Sequence, residues 1–469
     1  MSGRVVVVGA GPNGLSAAIV AAQAGYSVEV YEAEEIAGGA ARTMELTLPG
    51  FHHDFGSAVH PMAAGSPFFT TLPLHDYGLE WIQPGAPLAH PLDDGTAVVL
   101  ERDIGEAALA LGRDGGAWRN LFGTYARRWS ELAGEILRPA LRVPGHPVMM
   151  AEFGMRALAS ASALARNKFR EERTRALFAG MAAHSFLSLD EPMSAGIAMV
   201  LGITAHAVGW PIPRGGAGAI TQALIGYLES LGGRVVTSHR VEELRALGEY
   251  RFAMCDVTPR QLLGMTQFPA AYTRSLQRYR YGPGVFKVDY ALSSPVPWKV
   301  KECARAGTVH IGGTLEEIEA SEKATRGGQH AERPFVLLSQ PTLFDASRAP
   351  DGKHIAWAYC HVPNGSTFDM LPRLEAQIER FAPGFRDCVL ARRVWAPADL
   401  EKQDANLVGG DIVGGIPDWK QTFFRPSWRG YSTPLQDVYL CSSSTPPGGG
   451  VHGMCGFHAA TIAVKKFSR

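Results

Sequence analysis

The chain reads as an α/β protein whose nucleotide-binding domain is a Rossmann-like parallel sheet assembled from separated stretches of sequence. Three observations predict this. The valine run Val5 to Val8 leads directly into the glycine turn Gly9-Ala-Gly11-Pro12-Asn13-Gly14 and a run of small residues. A second strand, glycine loop and small-residue helix lie at the far end of the chain, between Asp437 and Lys466. Glycine stands at 53 of 469 residues, against an ordinary usage of about 7%.

Composition excludes several classes. Lys plus Arg number 45 and Asp plus Glu 45, so the formal net charge is zero. A dedicated nucleic-acid binder carries a basic excess, so no nucleic acid is expected as partner. At 46% hydrophobic residues the chain is too apolar to be disordered. Its glycines have no three-residue period, so their excess is local. Six cysteines, none in a CxxC pair, fit the reduced thiols of a cytoplasmic enzyme better than a disulfide framework or a zinc site. No signal-peptide pattern is seen. Two stretches without formal charge, 192–213 and 438–464, are broken by Gly, Pro and polar residues and do not read as spanning helices. A peripheral membrane contact stays open, because Arg156, Arg166, Lys168, Arg170, Arg173 and Arg175 follow a helical pattern. Glu171 and Glu172 dilute that pattern, and a solvated helix face is the plainer reading.

Each element follows in order. Four consecutive valines suit a strand buried on both faces. Leu15 to Ala24 lacks breakers and reads as a helix that stops at Gly25; Tyr26 to Tyr31 is a second strand ending at Glu32. Gly9 permits the tight turn, Gly11 lets backbone approach a pyrophosphate, and Gly14 lets helix and strand pack closely. Glu32, 18 residues after Gly14, is placed to bind ribose hydroxyls, with Ala33 beside it. NAD and FAD both satisfy this pattern. A second glycine pair, Gly38-Gly39, is followed by Ala41 and Arg42, which would bring charge to the phosphates. A third cluster, Pro213 to Gly218, opens a helix over 219–230, followed by a strand over 234–237. The fourth cluster runs from Asp437 through Cys441-Ser442 and Gly448-Gly449-Gly450-Val451-His452-Gly453 into the last helix, a second helix N-terminus suited to an anionic group.

These four clusters in this order resemble the phytoene-dehydrogenase-like flavoproteins of the phytoene desaturase and amine oxidase superfamily, and among them the branch of pyridine nucleotide-disulphide oxidoreductase domain-containing protein two. His53-Asp-Phe-Gly-Ser-Ala-Val-His60-Pro61, Gly409-Gly410-Asp411, Phe424-Arg425-Pro426 and Pro446 to Met454 carry the same likeness. The resemblance implies FAD, an FAD domain over roughly 1–60, 210–270 and 400–469, and an interleaved substrate domain of antiparallel sheet and helices. That second domain takes 61–209, mainly helical, and 271–399, with strands such as Val285 to Leu292 and His354 to His361. It further implies that Gly9, Gly11, Pro12, Asn13 and Gly14 meet the pyrophosphate, with Gly38, Gly39, Ala41 and Arg42 flanking it. Val241, within Arg240-Val241-Glu242, would meet adenine. Gly56 and Ser57 would lie by the flavin, as would Ser442, Gly450, Val451, His452 and Gly453 at its ribityl and pyrimidine end.

Flavin chemistry needs few side chains, because the cofactor takes the hydride and the protein supplies orientation and dryness. Lys287 is a candidate. Period-two alternation puts Val285, Lys287 and Asp289 on one face of a strand, facing either solvent or a substrate cavity. This strand is similar to the amine-oxidase strand whose lysine holds a water near flavin N5; a surface or ion-paired lysine is the alternative. His60 and His452 are candidate proton shuttles, or else histidines satisfied by hydrogen bonds near the cofactor. Cys441 and Cys455 read as buried inert thiols rather than flavin attachments. Ile355, Trp357, Tyr359 and His361 share a strand face and are expected to fill the core rather than line a pocket. The expected activity is FAD-dependent oxidation of a C–C or C–N bond in a fairly hydrophobic small molecule, with oxygen or a quinone as acceptor. An amine oxidase, a redox-neutral flavin isomerase and a flavin-folded interaction protein are the alternatives.

Overall fold

The computed structural model describes residues 3–140 and 142–468. Five parallel strands form one sheet in the spatial order Val438–Leu440, Phe252–Cys255, Arg4–Val8, Ser27–Tyr31, Arg234–Val236. Strands from three distant stretches of chain therefore share one ladder. The valine strand sits at its centre, with Val5, Val6 and Val7 fully buried, as a parallel strand covered on both faces requires. Its crossover is the helix Pro12–Gln23, whose proline occupies the first turn, where no amide donor is needed. The last helix, Met454–Phe467, lies against this first helix. A Cβ on Gly456 would come within 1.8 Å of the Asn13 carbonyl oxygen, so glycine alone allows that approach.

The second sheet has seven strands in the order Val389–Trp395, Gly284–Leu292, His354–Val362, Val336–Ser339, Ala306–Ile311, Ala86–Pro91, Ala97–Leu100. All neighbours are antiparallel except Ala306–Ile311 beside Ala86–Pro91. Phe286, Val288 and Tyr290 point into a core shared with the helix Leu371–Phe381. The opposite face carries Val285 and Lys287 into a cavity. Helices Gly115–Arg127, Glu172–Ala183 and Ala195–Ala207 pack together, and Glu172–Ala183 also lies on this sheet. The stretch 61–209, expected to be mainly helical, thus contributes two strands to this sheet as well.

The helical pattern of basic residues between Arg156 and Arg175 does not lie on one helix. Three helices divide it: Pro147–Ala157, Ala161–Lys168 and Glu172–Ala183. Ser160 caps the middle one by accepting from the Ala163 amide, and Phe169 ends it by turning into the core against Trp118. Arg156 donates to the Tyr125 hydroxyl, Arg166 pairs with Glu319 at 2.8 Å and Arg173 with Glu171 at 2.8 Å, so these charges are spent within the protein. Among the described residues, no helix is long and apolar enough to cross a membrane.

Candidate functional site

The site begins where the first strand ends. Gly9 has φ of +97°, which allows the sharp turn. A Cβ on Gly14 would sit 2.0 Å from the Gly9 carbonyl oxygen, so the turn closes on itself only without one. Gly11, Pro12 and Asn13 line the resulting cleft. Glu32 closes its outer end. One carboxylate oxygen accepts from the Ala10 amide at 2.8 Å and the other from the Glu34 amide at 3.0 Å, so this acid also braces the glycine turn. Ala33, Arg42 and Val241 line the same outer pocket.

The second glycine pair divides its work. Gly39 faces the cleft and packs against Gly11, whereas Gly38 is wedged between the Ala41 carbonyl and the Thr221 hydroxyl. Arg42 spends its Nε on the Gly39 carbonyl at 2.6 Å and Nη2 on the Gln403 carbonyl at 3.0 Å, with its guanidinium over the Phe55 ring. It therefore shapes the loop as well as bringing charge. The third glycine cluster does not reach the cleft. Its amides are taken by protein groups: Gly215 by Asp345, Ala217 by Asp54 and Gly218 by the Thr43 hydroxyl.

Sequence reasoning overlooked an acid at the centre of the cleft. Asp256 follows the strand Phe252–Cys255 and lines both the outer pocket and the inner cavity. Its carboxylate accepts from the Gly14 amide at 2.8 Å. Burial pushes this carboxyl up to about 8, helped by Asp404 and Glu32 and opposed by the Gly14 amide. Burial raises Asp404 as well. Asp256 therefore tends to the uncharged form at neutral pH, which suits a site for an anionic pyrophosphate. A polar residue at the carboxyl end of a parallel strand was a readable signal for Asp256. Asp404 and Asn406 carried none.

The inner cavity measures about 360 Å³ and continues from the outer pocket through Gly11, Gly39, Asp256, Asp404 and Asn406. Ala41, Gly56, Ser57, Ser442, Gly450 and Val451 line it. The Ser442 hydroxyl donates to the Val257 carbonyl at 2.7 Å, tying the C-terminal loop to the strand that ends at Cys255. Asp411 organises the adjoining loop by accepting from the amides of Gly282, Val413 and Gly415, each at 2.8 Å. Gly453 caps the last helix with φ of +69°, and a Cβ there would strike Ser16 and Phe69. His452 is not in the cavity wall. Its Nδ1 accepts from the Met454 amide at 3.0 Å, which makes it a strut of the loop. His60 does line the cavity, with its Nε2 buried and without a partner among the described residues. Burial takes both histidines down to about 4, so each is neutral at physiological pH.

Lys287 lies at the cavity floor, buried and ion-paired. Its Nζ is 2.6 Å from both oxygens of Asp289, which also accepts from Trp395 Nε1 at 2.8 Å. Trp357 and Tyr359 stack in parallel beside it, with ring centroids 5.7 Å apart. They line the cavity, contrary to the expectation that they fill the core. Ile355, on the same strand face, does fill it, packing with Phe51. His184, Trp210 and Thr308 complete the far wall; nothing in the sequence marked them. Cys441 and Cys455 are buried free thiols pushed up by burial, Cys455 to about 12, so they are inert.

A discontinuous parallel sheet that holds a dinucleotide cleft, opening onto an apolar cavity above an antiparallel sheet, defines an oxidoreductase of the dehydrogenase and desaturase type. Comparison with known proteins agrees. Residues 7–71 match the NAD(P)-binding Rossmann-like domain family. The chain is similar to the pyridine nucleotide-disulfide oxidoreductase domain-containing protein 2 of Rattus norvegicus, 25% identical over 98% of this chain and 93% of the relative. It is also similar to the lycopene-forming phytoene desaturase of Pantoea ananas, 28% identical over 54% of this chain and 55% of that one. In fold it is similar to the structure of an oxidoreductase from Methanosarcina mazei, with a TM-score of 0.65 at 18% identity, covering 98% of this chain and 100% of the other. The likeness read from the motifs is thus borne out along the chain.

Proposed function

We propose that this protein is an FAD-dependent oxidoreductase that takes a hydride from a C–C or C–N bond of a fairly hydrophobic substrate, with oxygen or a quinone as electron acceptor. The observation that carries this reading is the continuity of the cleft from Glu32 through the glycine turns to the aromatic floor. Gly9 to Gly14 would hold the pyrophosphate, Glu32, Ala33 and Val241 the adenosine, and Gly56, Ser57, Ser442, Gly450 and Val451 the flavin. The FAD domain would comprise roughly 1–60, 210–270 and 400–469, and the substrate domain 61–209 and 271–399. Bound there, the flavin supplies a hydride-accepting ring nitrogen.

The chain's own residues do the rest. Trp357, Tyr359 and Leu337 exclude water and orient the substrate against the ring. Lys287, neutralised by Asp289, places a polar hydrogen at the reacting end without leaving net charge in the cavity. Asp256, Asp404 and Asp411 lie along the cofactor side of the cavity, and Asp289 is taken by Lys287. Among the described residues, no free carboxylate is left at the floor for an ammonium group, which favours an uncharged substrate over a protonated amine. Six free thiols suit a cytoplasmic setting.

The purified protein should be yellow and release FAD on denaturation. Anaerobic addition of a hydrophobic alkene-type substrate should bleach the flavin. A colourless protein that takes up no FAD would overturn the reading.

A further inference from the structure

The cavity floor runs in a straight row across four strands. Lys287 stands opposite Tyr359, Tyr359 opposite Leu337, and Leu337 opposite His310. Three strand spacings of about 4.8 Å separate the ends of this row by roughly 14 Å. The lysine end adjoins the glycine loops: its strand pairs with Val389–Trp395, and Trp395 meets Phe55, next to Gly56, edge to face at 5.3 Å. The other end is a pair of histidines. His184 Nε2 and His310 Nε2 lie 3.0 Å apart, and His184 is part of the cavity wall.

One of these nitrogens must donate, and burial decides which. His310 is fully buried, and its Nδ1 has no partner among the described residues; it faces the backbone of Gly180, where even a Cβ would lie 2.7 Å away. A proton on that nitrogen would be a stranded donor, which costs more than a bare lone pair. His310 therefore carries its proton on Nε2 and donates it to His184. His184, accepting there, carries its own proton on Nδ1. Burial keeps both rings uncharged, pulling His184 down to about 3 and His310 well below its ordinary value.

Among the described residues, the bond to His310 is the one hydrogen bond of the His184 ring, so its Nδ1–H is left for a ligand. The turn that presents it is strained: Phe186, two residues on, has φ of +58°, rare for a bulky side chain, and is held there with its ring 4.1 Å from that of His361. The Thr308 hydroxyl stands in the same wall on the strand of His310. Between this polar end and Lys287 the wall is Leu337, Ile197, Leu201 and the rings of Trp357 and Tyr359.

We propose that His184 is a specificity-determining residue that donates from Nδ1 to an oxygen of the substrate, so that the substrate is an elongated apolar molecule with a hydroxyl or carbonyl group roughly 14 Å from the bond held near Lys287. His310 is a positioning residue that fixes the tautomer of His184. The orientation rests on the function proposed above; the oxygen recognition does not.

The test uses the purified full-length protein and three matched probes: decane, decanol and methyl octyl ketone. Binding is followed by tryptophan fluorescence, and flavin content is measured separately. The alcohol and ketone should bind about tenfold more tightly than the alkane. His184→Phe should abolish that preference. His310→Phe should do the same, and His310→Gln, which retains an amide donor, should restore it. Equal binding of the three probes by the unmodified protein would overturn the proposal, as would a preference that survives His184→Phe. If the His184 variant does not fold, the contrast between His310→Phe and His310→Gln decides alone. Preference for the oxygenated probes in a protein without flavin would uphold this inference while removing the FAD reading. A flavin-loaded protein without the preference would do the reverse.

Discussion

The two ends of the cleft are built on opposite principles. The cofactor end is made of backbone: glycine turns, amide donors and acids that hold the turns shut, as Glu32 holds Ala10 and Asp256 holds Gly14. The substrate end is made of side chains standing on a sheet, with one ion pair, one histidine pair and a floor of rings. Backbone construction tolerates almost no added atom. Side-chain construction tolerates exchange of shape but not loss of a partner for a buried charge. The difference predicts where each end breaks.

The largest effect is expected at the floor. Asp289→Ala would leave Lys287 buried without its counter-ion, at about 3–5 kcal/mol of stability. Urea unfolding measures this, and an unchanged midpoint would show that the pair is not needed. At the other end, Gly14→Ala would force a methyl group against the Gly9 carbonyl, where the Cβ has 2.0 Å. It should cost about 1–3 kcal/mol by overpacking and also empty the cofactor site, whereas Asp289→Ala should not. Flavin absorbance per mole of purified protein separates the two.

Asp256 supplies the pH dependence. Its folded-state value of about 8 lies above the ordinary carboxyl value near 3.9. The folded protein therefore binds this proton more tightly than the unfolded chain does. The resulting stability is complete below about pH 4 and declines as pH rises to about 8. Above that point the ionised carboxylate opposes the pyrophosphate, and FAD affinity should fall about tenfold per pH unit. Asp256→Asn keeps an acceptor for Gly14 and should flatten the profile. A variant and parent with the same slope would rule this acid out. The smallest effect belongs to Trp357→Phe. Its Nε1 has no partner among the described residues, so no hydrogen bond is lost, and stability should change by less than about 1 kcal/mol. Flavin content should be unaffected, with only the affinity for hydrophobic probes shifting; calorimetric melting and probe titration check both.

Much of the cofactor end was legible because it is local. The turn at Gly9–Gly14, the strand before it and the acid after it lie within one stretch of chain, and only glycine satisfies each backbone demand. The C-terminal loop was legible for the same reason, and its distance from the first cluster announced a discontinuous sheet. The third glycine cluster was legible as the start of the helix Gly218–Ser230, and glycine serves close approach there around Asp54 and Asp345. His452 follows the second of its two readings, a histidine satisfied by hydrogen bonds, because its ring turns into the glycine loop and not into the cavity. The alternation that put Lys287 and Asp289 on one face was correct, yet it could not tell cavity from solvent.

By itself, then, the sequence determined a parallel nucleotide-binding sheet gathered from distant segments, and the backbone loops that make its cleft. Those features follow from φ angles, period and the absence of a Cβ, all of which are written residue by residue. Only the tertiary structure decided that Asp256 closes the glycine turn, that Trp357 and Tyr359 face a cavity, and that His184 leans on His310. Each of those depends on which strands become neighbours and in what register, a choice made by packing across hundreds of residues and not recorded in any one stretch of chain.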